Sequence, residues 1–441
     1  MNLLHLAWLL SRPSKARLAP QILTASAYAM VSTILLIVLG GAHSFTSFEG
    51  EAQGTYLPLA ATAVVLLVVP LLVLGSAAAR LSARANDRAL SSLRLLGGTG
   101  MQIRVVTVIQ AAATALAGAL VGLVLYLACA PLASLIPFQG APIGRAIYLP
   151  MWIVAVAVFA VVLLSAISAA AGLRKLVISP LAVATRRTVP VPSWVRALIT
   201  VGSIIVLCLL FLNLGKVTES LAAIIVVILG GFGLGLLALN LVGTYLVSKV
   251  GQSKLKKAQT PQQLLAARMI LENPTVSWRQ VSGVAMASFV AVVGGSGAAM
   301  MQQSATDEIN HSWYDYLPAD ILTGVLVTLA ITFICVAASS AISQSASTLD
   351  RAELYSGLHR LGMPYSTMNS ARTESLMIPA LTASIGFAIA STALVLPLAG
   401  MAVIISPLTV LTVIVAVLLG LALVRVSILV ADPQKLLATG E

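Results

Sequence analysis

The sequence predicts an all-α integral membrane protein with ten transmembrane helices, arranged as two parallel four-helix units joined by a two-helix linker. Three observations predict it. Hydrophobic residues fill 59% of the 441 positions and charged residues 9%, with a mean hydropathy of +1.01; a soluble domain carries about a quarter charged residues. The apolar residues gather into runs of membrane-spanning length. One short charged pattern also occurs twice, between such runs, with its Leu-Gly pairs 265 residues apart.

The elements follow in order. Ten runs reach the roughly 20 residues a helix needs to cross hydrocarbon: 22–41, 58–79, 105–130, 149–172, 197–213, 221–247, 280–301, 319–341, 376–398 and 402–425. The first twenty residues read as amphipathic, with no short apolar region and A-x-A-like site, so no cleaved signal peptide is expected. Positive charge tests the order. With the N-terminus in the cytosol and alternating spans, all of the 26 basic residues except Arg145 and Lys216 fall inside. Glu49, Glu51, Glu219, Asp307, Glu308, Asp315 and Asp320 fall outside or at the outer boundary. This places both termini in the cytoplasm and accounts for the net charge of +12 without nucleic acid.

The repeated pattern is Asp87-Arg88 followed by Leu93-Arg94-Leu95-Leu96-Gly97, and Asp350-Arg351 followed by Leu358-His359-Arg360-Leu361-Gly362. Other landmarks keep its order. Leu6 to Pro13 and Leu265 to Pro274 read as short inner-surface amphipathic helices stopped by proline, the prolines 261 apart. Gly122 and Gly386 are 264 apart, and Pro180 and Pro433 are 253 apart. Spans 1–4 and 7–10 therefore read as parallel repeats related by an axis along the membrane normal. The units are 1–190 and 259–441, with linker spans five and six in 191–258. The outer loops, chiefly 42–57, 131–148, 214–220 and 302–318, are too short for a domain with its own core.

Chemistry of its own is not visible. The chain has no P-loop, since Gly215-Lys216-Val217 fails the pattern. Its four histidines are scattered, and Cys129, Cys208 and Cys335 have no metal-like spacing, so no metal site and no enzyme are expected. No carboxylate pair sits mid-membrane, where an ion-coupled carrier needs one. Asp320, a few residues into span eight, reads as an interfacial acid in water. Gly118-x-x-x-Gly122, Gly231-x-x-x-Gly235, Gly294-Gly295-Ser296-Gly297 and Gly386-x-x-x-Ala390 read as close helix packing.

Two regions remain as candidates. In the cytosolic segments 80–104 and 346–374, Leu90, Leu93 and Leu96 share a helical face ended by Gly97, as Leu354, Leu358 and Leu361 share one ended by Gly362. Each is either an amphipathic helix against headgroups or a docking helix, and two equivalent helices suit a partner with two equivalent subunits. Outside, His43, Phe45 and Phe48 in the first loop, with His311, Trp313, Tyr314 and Tyr316 before span eight, form either an aromatic belt or a binding patch for an amphiphile.

These motifs resemble the FtsX-like permeases of ABC transporters. The residues that carry the resemblance are Arg88, Leu93-Arg94-Leu95-Leu96-Gly97-Gly98 with Gln102-Ile103, and Ser179-Pro180-Leu181-Ala182-Val183-Ala184-Thr185-Arg186. In the second unit they are Glu353, Leu358, Leu361-Gly362 and Glu374, with Asp432-Pro433-Gln434-Lys435 an incomplete copy. The ten-span order is similar to that of the bacitracin-type peptide-antibiotic resistance permeases, without their large extracellular domain. The resemblance implies a permease of the bacterial plasma membrane that uses ATP hydrolysed by a separate ATPase, present in two copies. This chain would hold no cofactor, ATP and Mg being bound by the partner. It implies coupling helices at Arg84, Arg88, Leu93, Arg94, Leu96 and Gly97, and at Arg351, Glu353, Leu358, Arg360, Leu361 and Gly362. The implied cargo is an amphiphile (a peptide antibiotic, lipid or hydrophobic toxin) moved at or from the outer leaflet in contact with membrane lipid. The alternative is a transmembrane signalling module controlling a cell-envelope partner.

Overall fold

The computed structural model describes residues 15–95, 100–177, 242–304, 313–350, 357–394 and 406–430, together with Gly202. Among the described residues, eight helices are long and apolar enough to cross a membrane. The chain is an all-α, multi-pass membrane protein. The first group of four is α1 (Lys15–Ser44), α2 (Gly50–Leu95), α3 (Gly100–Ala133) and α4 (Met151–Val177). A helix over 242–256 (α5) and the short α6 (Pro261–Glu272) lead into the second group. That group is α7 (Pro274–Ser304), α8 (Trp313–Asp350), α9 (Tyr365–Leu394) and α10 (Pro407–Val430). The fifth expected span, Gly202 apart, and most of the sixth lie outside the described residues.

The span at 58–79 and the segment beginning at residue 80 are a single 46-residue helix, α2. The cause is composition: from Leu71 to Leu95 no proline intervenes, one glycine does, and alanine, leucine and arginine dominate, all strong helix formers. At 1.5 Å per residue α2 is about 69 Å long, more than twice the roughly 30 Å hydrocarbon core. Pro58 and Pro70 lie within its other half. The 38-residue α8 is the next longest helix.

Packing follows the same pairs in both groups. Helix α1 lies against α3 and α2, and α2 touches α4; α7 lies against α9 and α8, and α8 touches α10. The groups differ at two pairs: α3 and α4 pack extensively where α9 and α10 touch only slightly, and α2 touches α3 where α8 and α9, among the described residues, barely meet. The groups meet chiefly through α2 and α8, flanked by α2–α7 and α1–α8 contacts. On α2 this core takes in the buried Leu67, Leu71, Leu74, Ala78 and Leu81; on α8 it takes in the buried Cys335 and Ile342 and the half-buried Ile331 and Ala338. Both sets step by four and three residues, the heptad spacing of knobs-into-holes packing. Between α1 and α3 the approach is closer. A Cβ on Gly122 would stand 2.6 Å from the Ala29 carbonyl oxygen, and one on Gly118 2.6 Å from that of Ala25. Only glycine allows this, and Thr33 Oγ1 donates across the contact to the Gly122 carbonyl at 3.0 Å.

Candidate functional site: a clasp between the two helix groups

Helices α2 and α8 begin at one end of the bundle, the hairpin end, and run toward the repeated Leu-Gly motifs at the other. At the hairpin end, α1 stops at Ser44 and the chain turns through Phe45–Ser47 before α2 starts at Gly50. This short turn folds Phe45 back into the bundle. Its ring centroid lies 5.4 Å from Phe48, 5.7 Å from Tyr56 and 5.0 Å from Phe138. Phe138 comes from a two-stranded hairpin, Pro137–Phe138 with Ala141–Pro142. Its turn residues Gln139 and Gly140 both have positive φ, 53° and 74°, as a type I′ turn requires. Gly140 lies so close to the Tyr316 ring of α8 that a Cβ there would stand 2.7 Å from it.

This arrangement surrounds one carboxylate. Asp320 of α8 is 6% exposed. Its Oδ2 accepts from the Tyr56 hydroxyl at 2.5 Å and from the Gln139 backbone N–H at 2.9 Å. Both donors belong to the first helix group and the acceptor to the second, so three segments close on one oxygen. The Gln139 side-chain amide nitrogen is buried without a hydrogen-bond partner. One helical turn below lie Ala60, four residues after Tyr56, and Gly324, four after Asp320. Both line an apolar cavity of about 110 Å3 with Phe45, Phe138, Val64 and Thr328.

The reading of Asp320 as an interfacial acid in water is therefore corrected: tertiary contacts from α2 and the hairpin bury it. Of the predicted outer patch, Phe45 and Phe48 come together, and Phe45 is buried in the cluster, where it lines the apolar cavity, rather than lying at the headgroups. His43 is half-buried, and Tyr316 is exposed against the hairpin. The backbones of Trp313 and Tyr314 lie in the first turn of α8, and His311 lies outside the described residues. Tyr56, Phe138 and Gln139 were not singled out by sequence. The Gln139-Gly140 pair was the available signal, since such pairs turn hairpins.

At the motif end, Arg84, Arg88, Leu93 and Arg94 lie on the α2 helix. Leu96, Gly97, Arg351 and Glu353 lie outside the described residues. The second motif is visible from residue 357. Gly362 has φ 90°. Its N–H donates to the His359 carbonyl at 2.9 Å, and the Met363 N–H donates to the Leu358 carbonyl at 3.1 Å. These two bonds are a Schellman cap, so this glycine ends a helical turn as the sequence pattern predicts. The cap leaves Leu361 85% exposed, beside exposed Arg360 and half-buried Leu358.

Helix α6, capped by the Thr260 side chain on the Gln263 N–H with Pro261 as its first residue, buries Ala266, Ala267 and Ile270. It packs on α9, where Gln262 Nε2 donates to Glu374 Oε1. Pro274 ends the α6 segment as predicted and also starts α7 directly. No known family model, curated protein or solved structure matches the chain.

Proposed function

We propose that the chain is the permease subunit of an ABC transporter of the FtsX-like type. It couples ATP hydrolysis by a separate ATPase, bound in two copies, to export or extraction of an amphiphile. One observation carries this reading: the contacts between the two helix groups are reciprocal. Helix α2 meets its counterpart α8, and the flanking contacts α2–α7 and α1–α8 exchange under the same correspondence. Reciprocity of this kind is the mark of a two-fold interface. It supports two parallel repeats, 1–190 and 259–441, about an axis along the membrane normal. Ten spans then follow with the linker pair in 191–258, both termini cytoplasmic, in a bacterial plasma membrane.

On this reading the motif end faces the cytosol and the hairpin end the outer leaflet. The exposed Leu361 with Arg360 is a surface shaped to seat on a partner, and α2 brings the first motif to the same side on an unbroken helix. The test is copurification from the native host in mild detergent, with mass spectrometry of bound proteins. A P-loop ATPase at about two copies per permease is expected; an intact complex without one overturns the reading. Gly97→Pro with Gly362→Pro should then leave ATPase activity while abolishing transport. Unchanged transport in that double variant would remove the motifs from the coupling role.

A further inference from the structure

We propose that the Asp320 clasp and the cavity beneath it bind the free amino terminus of a peptide whose leading side chain is small and aliphatic. The inference rests on the permease reading and names its class of cargo. Four observations converge on it. The Asp320 carboxylate is buried at the meeting of the two helix groups, and its two bonds come from a phenol and a backbone amide, both neutral. A primary ammonium brings charge as well as donors, so it can replace the Tyr56 hydroxyl.

The Gln139 side-chain nitrogen is a buried donor without an acceptor, on the residue whose backbone already touches Asp320. In a peptide the first carbonyl lies two bonds from the amino nitrogen, so one ligand residue supplies both partners. The cavity one helical turn away, about 110 Å3, is lined by apolar side chains, glycine and Thr328. Apolar cavities of about 150 Å3 hold one benzene ring. This one therefore has room for a single aliphatic side chain. Finally, among the described residues the hairpin end carries Glu49, Glu51 and Asp315 against Arg145. That balance draws cations and repels the phosphate of a lipid headgroup.

The test uses the full chain in lipid nanodiscs, with no ATPase and no nucleotide. The probe is valyl-alanine amide, and the comparisons are its N-acetylated form and glycyl-alanine amide, titrated calorimetrically. The free-amine valyl probe should bind at least about tenfold more tightly than the acetylated one, the scale of a lost charged hydrogen bond. Asp320→Asn should abolish that difference. Ala60→Leu, which fills the cavity, should weaken the valyl probe and leave the glycyl probe unchanged. Tyr56→Phe should act in the opposite direction from Asp320→Asn, raising affinity by freeing the carboxylate, and so separates ligand binding from a merely structural role. Equal binding of free and acetylated probes, loss of affinity in Tyr56→Phe, or no binding of any probe overturns the proposal. Because ATPase copurification is scored separately, a failed titration beside a bound ATPase sinks the cargo assignment and leaves the permease reading standing.

Discussion

Removing one oxygen atom from the clasp is the sharpest test of its geometry. Tyr56→Phe deletes the hydroxyl and keeps the ring, which stays against Phe45 and Phe48 at 5.7 and 5.2 Å. Nothing else in the aromatic cluster changes. A hydrogen bond to a charged group contributes about 1.5–3 kcal/mol in soluble proteins. Side-chain bonds inside membrane proteins average only about 0.6 kcal/mol, with a maximum near 1.7, because the unfolded chain in lipid also finds partners. Asp320 is buried and accepts at 2.5 Å, but retains the Gln139 N–H when Tyr56 is lost. The expected loss is therefore about 1–2 kcal/mol, between the two scales. The assay is a double-mutant cycle with Asp320→Asn, by reversible denaturation in one fixed detergent mixture. A coupling energy of about 1 kcal/mol is expected. Coupling below about 0.3 kcal/mol, within the range of independent sites, would show that the folded protein does not hold the two groups together.

Three further outcomes follow from local geometry. Gly122→Leu should cost about 1–3 kcal/mol by forcing α1 from α3, while Gly297→Ala, with open space around it, should change stability by less than about 0.5 kcal/mol; thermal unfolding in one detergent compares them. Thr260→Ala should cost about 0.5–2 kcal/mol at the start of α6, read as faster amide exchange over residues 262–265. Gly362→Ala should destabilise the second motif by about 1–2 kcal/mol, because alanine resists left-handed backbone; exchange at residues 358–363 reports it, and Gly357→Ala is the neutral control.

The helices were legible because hydrocarbon imposes length and polarity on every span, and each of the eight observed spans overlaps a predicted run. The Gly118 and Gly122 packing was legible too, since a small residue every fourth position has one common use in lipid. That span two and the segment after it are one helix was not legible. A drop in hydropathy marks where the membrane ends, not where a helix does, and an alanine-rich helix passes through that border unbroken. The clasp was illegible for a different reason. Asp320 and Tyr56 are 264 residues apart in the chain, and neither belongs to a local motif. Burial of that carboxylate is a tertiary fact, set by which helices meet at the seam. The place of Phe45 was illegible for the same reason: its sequence neighbours suggested an interface belt or an outer binding patch, while the turn after α1 folds it inward.

The long helices connect the two ends of the molecule, and the permease reading turns that connection into a prediction. Tyr56 and Leu95 share α2, and the heptad seam grips it around the fully buried Leu74. From Leu74 the arm to Tyr56 is about 27 Å and the arm to Leu95 about 32 Å, at 1.5 Å per residue. A tilt of about 5° about the seam would move Tyr56 by about 2 Å, enough to break its bond to Asp320. The two arms are not equally stiff. Pro58 and Pro70 both lie on the Tyr56 side, and the other arm has no proline. Proline removes a ladder hydrogen bond and permits bending there, so part of any motion is absorbed before it reaches the clasp. Pro70→Ala should stiffen that arm and transmit more. Spin labels at Gly54→Cys and Ala319→Cys, both exposed beside the clasp, measure the opening between nucleotide-free and ATP-bound complexes. The distance should shift by about 2 Å in the parent and by more with Pro70→Ala. An equal or smaller shift in the variant would mean that α2 does not act as the lever.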